Sequence, residues 1–280
     1  MAMKLLYKIS KILACLLVAG LFFFFKEDNI LSHIPLKSIT VSLPAKTNTA
    51  FKVGEILSYR LHYGIIDAGV AILEVKPQLQ DFGGHQVYCI EGEGHTNKTF
   101  DWFFKVRDVY STYIDKDALV PWYFKRRVNE GGFVFAQDYL FNHYIKKVDI
   151  VGEKQQYDTQ EGVQDMLSSF YYARNINFSE AKENQIFEVP SFVDKQNWTL
   201  KIRYVGKEII KTDLGKFKCL KFRPIIQTGN IFKNEEDLSV WITDDKNHIP
   251  LRAQAKILVG SVKMDITSYK NLANATSKVE

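Results

Sequence analysis

Glu91, Glu93 and His95, in the stretch EGEGH, come closest to a reactive set by type and spacing. On an extended strand, residues i, i+2 and i+4 share a face. Two carboxylates and an imidazole would then stand in one row, as an acid–base or metal site requires. Such a row more commonly faces water. Asp165 is a second candidate acid, although its place just ahead of an apolar periodic run suits a helix start better. None of the six histidines is spaced from another as metal ligands on a helix or strand are. The chain also lacks the H-E-x-x-H, G-x-S-x-G, P-loop and dinucleotide-binding patterns. The expectation is therefore no catalytic residue, no metal and no cofactor.

The aromatic residues carry a different suggestion. Phe100, Trp102, Phe104, Trp122 and Phe124 read as a thick stripe when the segments around them are taken as strands. A stripe of this kind is either plain core or the wall of an apolar cavity, and a barrel of moderate size can hold a ligand. With Phe170 from the helical segment, the candidate ligand-binding wall is Trp102, Phe104, Trp122, Phe124 and Phe170. The corresponding partner is a lipid or a lipoprotein acyl chain.

The elements that must position these residues are mostly strands. GEILSYRLHYG sets Leu57, Tyr59, Leu61 and Tyr63 on one face and Ser58, Arg60 and His62 on the other, the period of a half-buried antiparallel strand. Similar runs follow, divided by turn residues such as Gly83-Gly84, and TFDWFFKVRDVYSTYI reads as one long strand. EGVQDMLSSFYYARN breaks the pattern: Val163, Met166, Leu167 and Phe170 recur at helical spacing. This predicts one amphipathic helix over about 162–175.

Two stretches resemble one another. STYIDKDALVPWYFKRRV (Ser111–Val128) and VWITDDKNHIPLRAQAKI (Val240–Ile257) each place an aspartate, Asp115 or Asp244, six residues before a proline, Pro121 or Pro250. Cys89 precedes Asp115 by 26 residues and Cys219 precedes Asp244 by 25, while Gly132 and Gly260 each punctuate a later hairpin. The fold class expected is mainly β, with two related antiparallel meanders forming an open barrel or a sandwich and one helix between the halves. A single β-rich domain spans 51–272, its halves being 51–152 and 185–272, with a linker at 27–50 and a disordered tail at 273–280.

Net charge is +5 over 280 residues, but Lys4, Lys8, Lys11 and Lys26 supply four of those charges and residues 1–26 contain no acid. The remaining chain is close to neutral, which argues against a nucleic-acid partner. The run Lys125-Arg126-Arg127 reads as a solvated strand face. Residues 12–25 form an uncharged apolar run behind the lysines, either a signal peptide or an N-terminal membrane anchor. Cys89 and Cys219 could be joined in an exported protein, but each sits in an alternating apolar run and reads better as a buried thiol.

FKVGEILSYRLHYGIIDAGVAILEV, VQDMLSSFYYAR, GKFKCLKF and WITDDKNHIPLRAQAKILVGSVKMDITSY occur in that order. Together they resemble the bacterial domain-of-unknown-function 3108 family over nearly all of residues 51–270. That resemblance implies an exported protein of Gram-negative bacteria and carries no catalytic residues. The ending from Trp241 to Asn271 is similar to the closing hairpins of periplasmic lipoprotein-carrier proteins, whose open barrels shuttle acyl chains. The function expected is a non-enzymatic envelope protein, periplasmic or anchored in the inner membrane through residues 12–25, that binds an apolar ligand. The alternatives are a membrane-tethered structural or protein-interaction module and an envelope hydrolase acting on glycan or lipid.

Overall fold

A computed structural model of the chain describes residues 42–225, 237–256 and 260–279. The 12–25 segment lies outside them. Among the described residues no helix is long and apolar enough to cross a membrane.

Period-two alternation becomes antiparallel strand nearly throughout. The first meander comprises β1 (Ile56–Tyr63), β2 (Ile66–Val75), β3 (Gln80–Phe82), β4 (His85–Thr96), β5 (Arg107–Asp115), β6 (Pro121–Glu130), β7 (Phe133–Asn142), β8 (Lys147–Ile150) and β9 (Gln156–Asp158). The second comprises β10 (Ile186–Val193), β11 (Gln196–Thr212), β12 (Gly215–Pro224), β13 (Leu238–Thr243), β14 (Pro250–Lys256) and β15 (Ser261–Lys270), followed by β16 (Lys278–Val279). The two form one sheet in the order β10-β11-β12-β13-β14-β15-β1-β2-β4-β5-β6-β7-β8-β9. The last long strand thus pairs with the first, joining the meanders at β15 and β1. The sheet is open, but its edges approach each other. Gln164, just before the helix, makes a parallel bridge to Ser191 of β10, and Phe192 packs its ring 5.3 Å from Tyr139 of β7 and 5.8 Å from Tyr157 of β9. The arrangement is an open barrel rather than two stacked sheets.

Two helices occur among the described residues, α1 (Lys98–Asp101) and α2 (Met166–Ala173). α2 is the expected one. Asp165 is its N-cap, accepting from the Leu167 and Ser168 amides in a capping box that satisfies two otherwise orphaned amide donors. Its other oxygen accepts from Thr112 Oγ1 at 2.6 Å, fixing the helix to β5. α1 replaces the start of the long strand expected over Thr99–Ile114. Asn97 accepts from the Phe100 amide and turns the chain into a helical loop, and Asp101 is then held by Arg107 and Thr96. Extended structure resumes only at Arg107, so Trp102 and Phe104 lose the phase that would have aligned them with Val106.

The repeat is visible in the hairpins before the two prolines. Ile114 faces Pro121 and Tyr113 faces Tyr123, leaving Trp122 as an extra bulged residue. Likewise Ile242 faces Pro250 and Trp241 faces Arg252, leaving Leu251. The residue two before each proline has positive φ, 52° at Leu119 and 45° at His248. Asp115 closes its own turn by accepting from the Asp117 and Ala118 amides. In the second hairpin that role falls to Asp245, which accepts from the Asn247 amide, while Asp244 pairs instead with Lys207. His248 is half-buried, and its Nδ1 donates to the Arg174 carbonyl at the end of α2, at 2.7 Å.

Both ends of the domain differ from expectation. Residues 42–50 pack onto it: Leu43 meets the Phe82–Trp122 cluster, the Lys46 amide donates to the Asp117 carbonyl, and Ala50 is fully buried. Residues 273–279 are no loose tail, because Ser277 donates its amide to Asp245 and β16 pairs with β12. Cys89 and Cys219 are both buried free thiols, and burial pushes the Cys219 thiol up to about 12.

Candidate functional site

The concave side of the sheet faces α2. Strand alternation sends Tyr110 and Thr112 of β5, Phe124 and Arg126 of β6, and Gln137 and Tyr139 of β7 towards it. Their rings form a connected wall: Tyr110 to Phe124 is 6.1 Å, Phe124 to Tyr139 5.7 Å and Tyr139 to Phe192 5.3 Å between centroids. Val163, Leu167 and Tyr171, in and just before α2, close the same cluster from the other side.

Arg126 stands within this wall, its side chain only 12% exposed. One terminal nitrogen, Nη2, donates to Asp194 at 2.6 Å and to Gln137 at 3.1 Å. The other, Nη1, faces only the Met166 thioether sulfur, at 3.6 Å, and Nε has no partner. The guanidinium lies 4.7 Å over the Phe135 ring. Asp194, in the β10–β11 turn with φ of 48°, is 71% exposed and marks the open end of the site. Expected as part of a solvated basic run, Arg126 points inward. Lys125 and Arg127 lie on the outer face, over the Tyr113 and Tyr123 rings and on Asp138 respectively. Three consecutive strand residues cannot share one face, and the phase of Arg126 with Phe124 was the signal.

Other polar groups on this side also lack partners. Asp108, fully buried next to Tyr110 in phase, accepts from the Asn129 amide through Oδ1 at 2.6 Å, whereas Oδ2 is unpartnered. Burial pushes its carboxyl up to about 8, and the neighbouring Glu130 carboxylate adds to the shift. The Tyr59 and Tyr171 hydroxyls are buried without partners, and desolvation raises both phenols well above their ordinary value. Buried polar groups are normally bonded, and unpaired ones point to water or another molecule in the interior.

The five expected wall residues fall in three places. Phe124 is fully buried in the concave cluster, and Phe170 packs against that cluster from α2. The bulge turns Trp122 to the outer face beside Phe82 and Tyr123. There Trp122 Nε1 donates to Asp115 Oδ2 at 2.9 Å and its ring lies 4.3 Å from His85. Phe104 lies close over Gly131, where φ of 57° already favours glycine, and Trp102 is 83% exposed. The five therefore do not form one wall.

Of the acid–base candidates, Glu91 and Asp165 have structural work to do, whereas His95 is exposed at the end of β4. Glu91 pairs with Lys76 at 2.9 Å on the outer face, and Asp165 caps α2. His85 donates Nδ1–H to Asp115 at 3.0 Å, but its Nε2 meets only the Tyr144 hydroxyl, at 3.4 Å. Among the described residues no group of three His, Cys, Asp or Glu side chains is placed to hold a metal ion.

A family model described as Protein of unknown function (DUF3108) matches residues 58–267. The chain belongs to this family. No curated protein matches it. Among solved structures, it is similar to a β-barrel-like protein of the domain-of-unknown-function 1849 group from Brucella abortus, at 10% identity and a TM-score of 0.50, covering 80% of this chain and 99% of that one. This likeness shows a shared barrel-like fold. A candidate lipoprotein from Parabacteroides distasonis (11% identity, TM-score 0.32, covering 81% and 100%) and a candidate exported protein with a YmcC-like fold from Bacteroides fragilis (10%, 0.30, 81% and 100%) also match.

Proposed function

We propose that this chain is a non-enzymatic binding protein of the bacterial envelope. Its curved interior takes an acyl-chain amphiphile, with the anionic head at Arg126 and the chain among Tyr110, Phe124, Tyr139 and Phe192. The observation that carries this reading is the state of Arg126: almost out of water, inside an aromatic wall, one nitrogen unpartnered and another facing only sulfur. A buried cationic donor without an acceptor is costly, and a carboxylate or phosphate at the open end would supply acceptors. Export rests on Lys4, Lys8 and Lys11 and the apolar run behind them. The likeness of Trp241–Asn271 to lipoprotein carriers points the same way.

The test is native mass spectrometry of the full chain from the envelope fraction, with organic extraction of the same sample. A stoichiometric lipid-sized adduct is expected. In Arg126→Gln its occupancy should fall by about tenfold, the loss of one charge-assisted contact, while circular dichroism stays native. A clean apo mass that takes up no offered fatty acid or phospholipid would sink the proposal.

A further inference from the structure

The two ends of the barrel treat apolar residues differently. At the end holding the Asp115–Pro121 and Thr243–Pro250 turns most are tucked away: Leu119 and Ile249 are buried, although Ile145 in the β7–β8 turn is half exposed. At the other end, β1 passes to β2, β4 to β5 and β6 to β7, and the connections carry apolar side chains in water. Ile65 is 100% exposed, Trp102 83%, Val134 71% and Phe133 64%, with Phe103 and Ile66 about half out. Most of the large exposed apolar residues of the described chain lie at this rim. The three connections rise from six neighbouring strands, so the tips span roughly 25 Å at about 4.8 Å per strand. Exposed apolar groups concentrated in this way mark an interaction surface.

The charges at the rim point to the occupant. Among its acids, Asp101 is engaged by Arg107, Glu153 by Lys195, Asp194 by Arg126 and Asp67 by Arg60, while Glu130 lies against the buried Asp108. Lys98 and Lys105, on either side of Trp102 and Phe103, and Lys154, beside the exposed Val151, are exposed and form no ion pair with a described carboxylate. The rim therefore offers aromatic and aliphatic tips beside exposed lysines.

We propose that this rim docks into an anionic phospholipid bilayer, with Trp102, Phe103, Phe133 and Val134 entering the boundary between headgroups and acyl chains. Indoles favour that depth, and lysines beside them meet acidic headgroups. Separate tips suit a fluid surface that closes around each one. The rim is the end on which the Arg126 site opens, but its docking requires no ligand in the interior.

The experiment is tryptophan quenching in the full chain mixed with vesicles of phosphatidylglycerol and phosphatidylcholine whose acyl chains are brominated. Quenching of Trp102 reports the rim whatever else holds the chain to the vesicle. The quenched fraction should fall by about half or more in Trp102→Phe, and similarly in Phe133→Ser/Val134→Ser, as interfacial residues leave the bilayer. Replacing the anionic lipid by phosphatidylcholine should also reduce it severalfold. Equal quenching in wild type and Trp102→Phe would overturn the proposal. So would a concentration-dependent blue shift of Trp102 emission without lipid, which would make a second copy of the chain the occupant. Neither result touches the lipid adduct and its dependence on Arg126, so the two proposals fail separately.

Discussion

Asp108 holds its proton because the sheet removes it from water, and this makes it a reporter of the interior. Its carboxyl is pushed up to about 8 by burial, against about 3.9 in an unfolded chain. Between those values the folded protein carries a proton that the unfolded chain has lost, so stability falls as pH rises. Asp165, pushed up to about 6 by burial, acts in the same direction at lower pH. The urea midpoint is expected to decline from pH 6 to pH 8, at no more than about 1.4 kcal/mol per pH unit from this group, and then to level off. Asp108→Asn keeps an acceptor for the Asn129 amide and should flatten that limb. An unchanged slope in the variant would mean that another group titrates. Arg126, on the neighbouring strand, is the opposite case, a charge kept in the interior with Asp194 as its counter-ion.

At the scale of elements, α2 depends on its N-cap. Asp165→Ala removes the cap and the bond to Thr112 together, and should lower unfolding free energy by about 2 kcal/mol. Asp165→Asn retains an acceptor and should cost less than half as much; chemical denaturation of both variants measures the difference. This helix was legible because Val163, Met166, Leu167 and Phe170 repeat at its period, and the paired meanders because alternation recurred between turn residues. Two local features hid the rest. Asn97 starts α1 through one side-chain bond inside a segment whose aromatics also alternate, so TFDWFF read as strand and Trp102 as wall. The bulge before Tyr123 inserts one residue and reverses the phase of Trp122, which no periodicity argument shows. The inward turn of Arg126 was readable from its phase with Phe124, but a basic triplet suggested a uniform face. Asp108, in phase with Tyr110, was hidden in the same way.

For the whole molecule, the open question for any two-part chain is whether the parts unfold together. Here β15 pairs with β1 along its length, and a fully buried ion pair ties three regions at one point. Arg174, at the end of α2, donates to both oxygens of Glu55, at 2.6 and 2.8 Å, through Nε to the Asn247 carbonyl in the second proline hairpin, and to the Ala50 carbonyl ahead of β1. Burial opposes its charge, but the Glu55 carboxylate outweighs this and holds the guanidinium above its ordinary value. A buried pair need not beat an apolar replacement, yet removing one partner alone leaves an uncompensated charge. Glu55→Gln or Arg174→Met alone should therefore cost about 3–5 kcal/mol, and Glu55→Leu/Arg174→Met less than the sum of its singles. Because Arg174 bonds Glu55 of the first half and the Asn247 carbonyl of the second, the loss should appear as one earlier transition. Fluorescence from Trp122-only and Trp241-only chains, which report the first and second meanders, should give coincident urea curves before and after Arg174→Met. Curves that separate in the variant would overturn that expectation and mean that the pair, not the strand seam, holds the halves to one transition. Curves that separate in the otherwise unaltered chain would mean that the seam at β15 and β1 does not join them into one folding unit.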